Sequence, residues 1–425
     1  MLLKKIFLFF QLSLLCCCTY AQTILPHFET LSVNEGLSQS SVYSILQDRE
    51  GFMWFGTSDG LNRYDGSEIR IFRFSDNIKD PANANNVGNM SEDDSGNVWY
   101  SNYSGIYYYN RLKQEIQKAR SFPKNGFPSN YLTLVTLKNN EIYFENILTG
   151  IVSYNVKTKS LIRYPYPHKN KSFNGFEHPI DYRAAFHDNK IWSHGESLKG
   201  LYTFDINTKK FERFLPNQFN HGIGFGEHNK YVIDHQRILI LNSQNKYIDT
   251  LAMPEALQYF SITEDKYQHL WITTINNGVI MYDILSKKFF SFKHENSKIK
   301  SLPIDLVTIT YIDANNNLWI GTDGGGVSRL DIKPKKFNQF PINEGEYPFM
   351  NDYFIKCING DDKGNIYFGS LSNGLCVLNG KTRFLKQYKN IRGDNSSIQS
   401  NTVSAIFNDR SNNTWIASTL GVSIF

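Results

Sequence analysis

Five histidines, His187, His194, His221, His228 and His235, stand in one stretch with three intervals of seven residues, and neutral imidazoles are what a transition metal takes. The stretch has no helical periodicity to put them on one face, so they read as strand-packed or solvent-exposed, and no metal or other cofactor is expected. Glu92-Asp93-Asp94-Ser95-Gly96-Asn97 and Asp361-Asp362-Lys363-Gly364-Asn365 are acidic enough to suggest calcium loops. Both lack the bidentate glutamate at the twelfth position and read as hairpin turns. Gly324-Gly325-Gly326 has no Lys-Ser/Thr after it and opens no helix, so it is not a phosphate loop. Asp48, Asp93 and Asp313 could serve as general acids, but each recurs in one repeated phrase. A catalytic acid is needed once and a turn residue once per repeat, so these are turn caps, and no catalytic residue is assigned. Tryptophans could stack on sugar rings; their place in the repeat decides otherwise.

Trp54, Trp99, Trp271, Trp319 and Trp415 each follow an aspartate by six residues, and Tyr367 follows Asp361 in the same way. The spacing is 45 residues between the first two and 48 between successive members from Trp271 to Trp415, the length of a four-stranded propeller blade. The first copy runs Val42 to Asp48, then Gly51 to Thr57 with Trp54, Gly56 and Thr57, then Gly60 to Tyr64 and Asp65, then Ile69 to Phe74. Those are four short strands whose turns carry Gly, Asp and Asn, residues that bond their own backbone or accept positive φ. Gly105, Gly150, Gly200, Gly278, Gly326 and Gly374 open third strands at the same offset, and Gly321 repeats Gly56. The second strand is apolar on both faces, as in Phe52-Met53-Trp54-Phe55 and Leu318-Trp319-Ile320, which suits a strand sandwiched between sheets. Burying one such aromatic is worth roughly 4–6 kcal/mol before entropy. The tryptophans are therefore expected in the core between blades.

Copies three and four are worn, with Tyr143 and Trp192 in the tryptophan slot and the aspartate lost or shifted. The gap to Trp271 holds a fifth, faint copy with strand-like runs at Tyr231 to Asp234 and Arg237 to Asn242, which makes nine in all. Phe28-Glu29-Thr30-Leu31 resembles the fourth strands of other copies and is expected to pair with the sheet of residues 305–331, closing a ring of seven. Phe337 to Gly345 echoes Phe28 to Gly36, including Asn-Glu-Gly, as if a second ring begins near residue 336. The fold class predicted is all-β: a seven-bladed propeller of four-stranded antiparallel blades over 22–335, then the first two blades of a second, incomplete one over 336–425.

Residues 1–21 read as a secretory signal: Lys4-Lys5, an uncharged run from Ile6 to Leu15, and small residues before Gln22. The run is shorter than the ~20 residues of a membrane span. A lipoprotein site at Cys16, Cys17 or Cys18 is weakened by Leu15, where a small residue is needed. Without Lys4 and Lys5 the chain has 43 basic and 40 acidic residues, so nothing points to nucleic acid or a membrane surface. Cys357 and Cys376 fall in alternate strands of one blade, about 9–10 Å apart, and are expected to be free, buried thiols.

The phrase from Val42 to Asp65, and above all Asp48-Arg49-Glu50-Gly51-Phe52-Met53-Trp54-Phe55-Gly56-Thr57, resembles the two-component regulator propeller repeat. That family forms the periplasmic sensor half of hybrid two-component proteins in glycan-degrading Gram-negative bacteria, ahead of a membrane helix and a histidine kinase core. The resemblance implies an extracytoplasmic ligand sensor, an oligosaccharide ligand and a possible homodimer in the full-length form. No kinase region and no hydrophobic span after the signal are found in this sequence, so this segment is expected neither to catalyse nor to touch the membrane. The rivals are a secreted propeller enzyme acting on polysaccharide, a lyase or a glycosidase with paired carboxylates, and a protein-binding scaffold. Binding residues are expected among what does not repeat, such as Tyr103, Tyr107 and the insertion from Tyr164 to Tyr182.

Overall fold

The computed structural model describes residues 28–74, 85–102, 105–121, 132–146, 149–167, 184–193, 200–216, 222–234, 237–253, 259–296, 301–333, 354–380 and 385–425. The expected signal and the 337–345 echo lie outside them. The chain divides into two compact units, residues 1–333 and 334–425. Apart from one turn of 3-10 helix at Val33–Glu35, the regular elements described are strands.

In the first unit Val42–Gln47, Met53–Thr57, Gly60–Tyr64 and Ile69–Phe72 pair antiparallel in chain order to make the first sheet. Five more four-stranded sheets follow with the same order, covering residues 90–121, 132–165, 185–216, 222–252 and 259–292. The seventh combines Val307–Ile312, Asn317–Thr322 and Val327–Asp331 with Glu29–Leu31, whose Glu29, Thr30 and Leu31 face Arg329, Ser328 and Val327. Each sheet lies beside the next through their first strands, and Val307–Ile312 of the seventh lies beside Val42–Gln47 of the first. A β-bulge recurs in the first strand, at Val42/Ser44, Leu134/Thr136, Tyr259/Ile262 and Val307/Ile309, where the extra residue bends the strand and turns its side chain.

The core is a set of apolar layers between sheets. Trp54 of the first sheet packs with Val98, Tyr107 and Tyr109 of the second, and Trp271 of the sixth with Leu318 and Ile320 of the seventh. Trp319 of the seventh then packs with Val42, Ile45 and Phe55 of the first. In every case the slot residue faces the sheet that follows it. The second strands are accordingly buried on both faces, Met53–Thr57 along its whole length. Gly278 and Gly326 show why glycine opens third strands. Both have positive φ, +68° and +83°, and their missing Cβ faces the fourth-strand carbonyls of Phe292 and Leu31. The Gly324–Gly326 turn thus makes room for Glu29–Leu31.

The second unit has a four-stranded sheet over residues 355–388 and a three-stranded one over 403–424. Tyr367 is buried against Val403 and Ile416, again facing the sheet that follows. Trp415 departs from the expected core burial: it is 38% exposed, against 1% for Trp54 and 2% for Trp319, because no sheet follows it in this chain. Phe407, Val422 and Ile424 of the same sheet are exposed too. Cys357 and Cys376 stand across the strand Ile366–Ser370, opposite Gly369 and Phe368, and are free. Cys376 is buried, and desolvation pushes its thiol up to about 11. Cys357 is half-buried instead of buried, because its first strand edges the sheet stack.

Candidate functional site

The repeated aspartate and tryptophan are one device. Asp48 Oδ1 accepts from the backbone N–H groups of Glu50 and Phe52 at 3.0 and 2.9 Å, closing the hairpin, and Oδ2 accepts from Trp54 Nε1 at 2.8 Å. The same bond joins Asp93 to Trp99, Asp265 to Trp271, Asp313 to Trp319 and Asp409 to Trp415, at 2.7 to 2.8 Å. At Tyr367 the phenol replaces the indole, 2.9 Å from Asp361 Oδ2. A spacing of six is what places the end of one hairpin arm beside a residue inside the other. The carboxylates of the acidic runs are occupied likewise: Asp93 takes Ser95 N, Asn97 N, Asn97 Nδ2 and Trp99 Nε1, and Asp361 takes Lys363 N, Asn365 N, Asn365 Nδ2 and Tyr367 Oη. Such carboxylates are turn caps.

Because strands alternate in direction, these aspartate turns share one end of the sheets, and the connections between sheets share the other. The aspartate end is cross-linked between neighbours. Arg49 bonds Glu92 Oε1 at 2.8 Å and the Asp94 carbonyl at 2.8 Å, Glu50 pairs with Arg111, and Gln47 Oε1 accepts from Ala314 N at 2.7 Å. In the third sheet, where the aspartate is lost, Tyr143 Oη bonds Glu141 and Lys209 of the fourth sheet, whose ammonium is 2.7 Å from Glu141 Oε2. Tyr231 Oη donates to Glu264 at 2.9 Å across the fifth and sixth sheets. Trp192 has no replacement, and its buried Nε1 has no hydrogen-bond partner.

At the opposite end the connections differ in length from junction to junction, spanning 73–89, 122–131, 166–184, 217–221, 253–258 and 293–306. Tyr103, residues 168–183, His194, His221 and His235 lie outside the described residues. Tyr107 lies in the strand Gly105–Asn110, fully buried and stacked on Tyr100 at 5.6 Å, so it is core and not the loop residue expected. Its neighbours Tyr108 and Tyr109 obscure the strand's alternation in the sequence. Tyr164 lies in the fourth strand Leu161–Pro165, half-buried on Phe204 at 4.9 Å. His187 stacks on Phe225 at 4.3 Å, while His228 is exposed beside Glu227. Among the described residues no three His, Cys, Asp or Glu side chains gather as metal ligands would.

Sequence reasoning missed Glu145. It stands two residues after the slot residue Tyr143, where Gly56 and Gly321 stand in the first and seventh sheets. Its carboxyl is 3% exposed, accepts from Tyr166 Oη at 2.7 Å, and is held above the ordinary carboxylate range by burial. The signal was available: a charged residue in a slot otherwise small or apolar among the described copies.

In fold the chain resembles the extracellular domain of the hybrid two component system BT3049 from B. thetaiotaomicron, with a TM-score of 0.66 and 21% identity over 94% of this chain and 53% of that one. The extracellular domain of BT4673 from the same organism gives 0.58 and 20%, over 94% and 52%. Virginiamycin B lyase from Staphylococcus aureus gives 0.54 and 13%, over 72% of this chain and 99% of the lyase. The class is a β-propeller. A sequence description of the two component regulator propeller matches residues 36–59, which hold the Asp48–Trp54 hairpin. Histidine kinase P4 of Formosa agariphila is 50% identical over 46 residues, 11% of this chain and 3% of that protein. Residues 36–59 match a two-component regulator propeller repeat, and the chain spans about half the length of the two extracellular domains it resembles in fold.

Proposed function

We propose that this chain is the ligand-sensing, extracytoplasmic part of a hybrid two-component sensor, and that its ligand is an oligosaccharide bound at the end of the sheets where the connections vary. The observation that carries this reading is the repeat at residues 36–59, set in a fold shared with extracellular domains of such systems. The repeated aspartates at the other end are taken up by their own turns, which favours the varying connections for ligand chemistry. The kinase lies elsewhere in the protein, the segment is exported to the periplasm by residues 1–21, and signalling proceeds by a ligand-biased arrangement of domains or of two copies.

The architecture proposed with it is a closed seven-bladed ring, supported by the pairing of Glu29–Leu31 with Val327–Asp331 and by the seventh sheet lying beside the first. Residues 336–425 are the first two blades of a second ring, a reading supported by the exposed slot residue Trp415. The likeness to virginiamycin B lyase keeps one rival, a secreted propeller lyase.

The test is calorimetric titration of the full chain with a panel of oligosaccharides, with chromatography of each mixture after incubation. Binding with the glycan recovered intact is expected. Release of cleaved or unsaturated product overturns the sensor in favour of an enzyme, and no binding to any glycan removes the oligosaccharide.

A further inference from the structure

Two residues after the slot residue a second strand runs close against its own first strand and the start of the next sheet. A Cβ at Gly321 would lie 2.8 Å from Ile309 Cγ2 and 3.0 Å from the Val42 carbonyl oxygen, and one at Gly56 would lie 2.9 Å from the Val87 carbonyl oxygen. A glutamate at this position in the third sheet must therefore find its room where the fourth sheet begins. There the first strand is only Ala185–His187, against the six residues of Val42–Gln47.

Glu145 joins the two ends of one connection. Tyr166, the residue after the last strand of the third sheet (Leu161–Pro165), donates its hydroxyl to Glu145 Oε1 at 2.7 Å. The backbone N–H of Ala184, the residue before the first strand of the fourth sheet, faces the same carboxyl. Tyr166 is held in turn by Phe211 and Tyr202 of the fourth sheet, at 5.2 and 6.2 Å between rings. The groups facing the carboxyl are thus Tyr166 from the third sheet and the Ala184 amide and Ser193 from the fourth. Ser193 Oγ is buried without completing a hydrogen bond. No Lys, Arg or His side chain among the described residues faces Glu145. Three donors or fewer and no cation suit a neutral acid; an anion at that depth has no counter-charge and is strongly disfavoured.

We propose that Glu145 is a positioning residue, a proton-controlled clasp that fixes both stems of the connection between the third and fourth sheets and releases them when its carboxyl proton passes to solvent. The neutral acid holds Tyr166 and Ala184 together. The carboxylate gains hydration only if those stems part. This inference needs neither a ligand nor a kinase, so it stands or falls apart from the sensor reading.

The test is amide hydrogen exchange on the full chain at a series of pH values, corrected for intrinsic exchange and followed at residues 166–167 and 184–187, with the 301–306 stem as internal control. In the parent protein exchange at both stems should rise together through a single titration step while the control stays flat. Glu145→Gln, neutral and of the same shape, should abolish the step. Tyr166→Phe keeps the ring but removes a bond that the closed, neutral clasp makes and the parted stems do not, so it should open the stems more easily and move the midpoint to lower pH. A step unchanged in both variants overturns the clasp, as does a parent protein with no step. If Glu145→Gln does not fold, the Tyr166→Phe midpoint decides alone: a downward move supports the clasp, and an unmoved or raised one overturns it.

Discussion

Asp313 takes four N–H groups on two oxygens: Asn315 N and Asn317 N on Oδ1, Asn317 Nδ2 and Trp319 Nε1 on Oδ2. Truncating it leaves a buried indole donor and the turn amides unmet. Asp313→Ala should cost about 2–4 kcal/mol in urea denaturation, since each unsatisfied buried donor costs about 1–3 kcal/mol. Asp409→Ala should cost much less, because that carboxylate is in water. A second test lies at His269, which fills the place four residues after the aspartate that asparagine holds in four other copies, at Asn97, Asn317, Asn365 and Asn413. The hydrogen bond from His269 Nδ1 to Asp265 Oδ2, 2.9 Å, raises the imidazole pKa despite burial. A raised folded value means that the stabilisation is complete below the unfolded pKa of about 6.5 and is lost as pH rises through the folded value. Stability should therefore fall with rising pH in that window. His269→Asn should remove this slope; the same slope in parent and variant would place its origin elsewhere.

The sheets show what a linear reading can and cannot carry. The four-strand phrase was legible because turn glycines and acids recur at fixed offsets, and the all-β class followed from that recurrence. The bond from Asp48 to Trp54 was not, since residues six apart become neighbours only once the hairpin between them is folded. Tyr107 was misplaced for a related reason: a run of tyrosines has no polar alternation to say which ring turns inward. Glu145 was hidden by the wear of its copy, which draws attention away from the one slot where it departs most. The glycines of the second strand test the packing itself. Gly321→Ala should destabilise by about 1–3 kcal/mol through overpacking of the junction between the seventh and first sheets. As a control, Gly360→Ala, at the exposed end of the first strand Ile355–Gly360, where a Cβ meets nothing nearer than 3.6 Å, should stay within about 0.5 kcal/mol. Equal losses at both would contradict the close-packed junction.

At the scale of the molecule, every slot residue of the first unit leans on the next sheet, and the seventh sheet takes its outer strand from residues 29–31. A chain that starts after residue 36 loses that strand and should melt lower and less cooperatively than one that starts at residue 22, as differential scanning calorimetry would show. The same arrangement confines the slot tryptophans and their aspartates to core and turns, and the proposed sensor reading places recognition at the connections on the opposite end of the sheets. The most direct measurement of that division is hydrogen exchange of the full chain with and without an oligosaccharide found to bind. Protection confined to amides beside the connections, at 85–89, 184–185 and 301–306, with the glycan recovered intact, is the result predicted. Protection centred on the turns at Asp48, Asp93 and Asp313, or cleavage of the glycan, would contradict it.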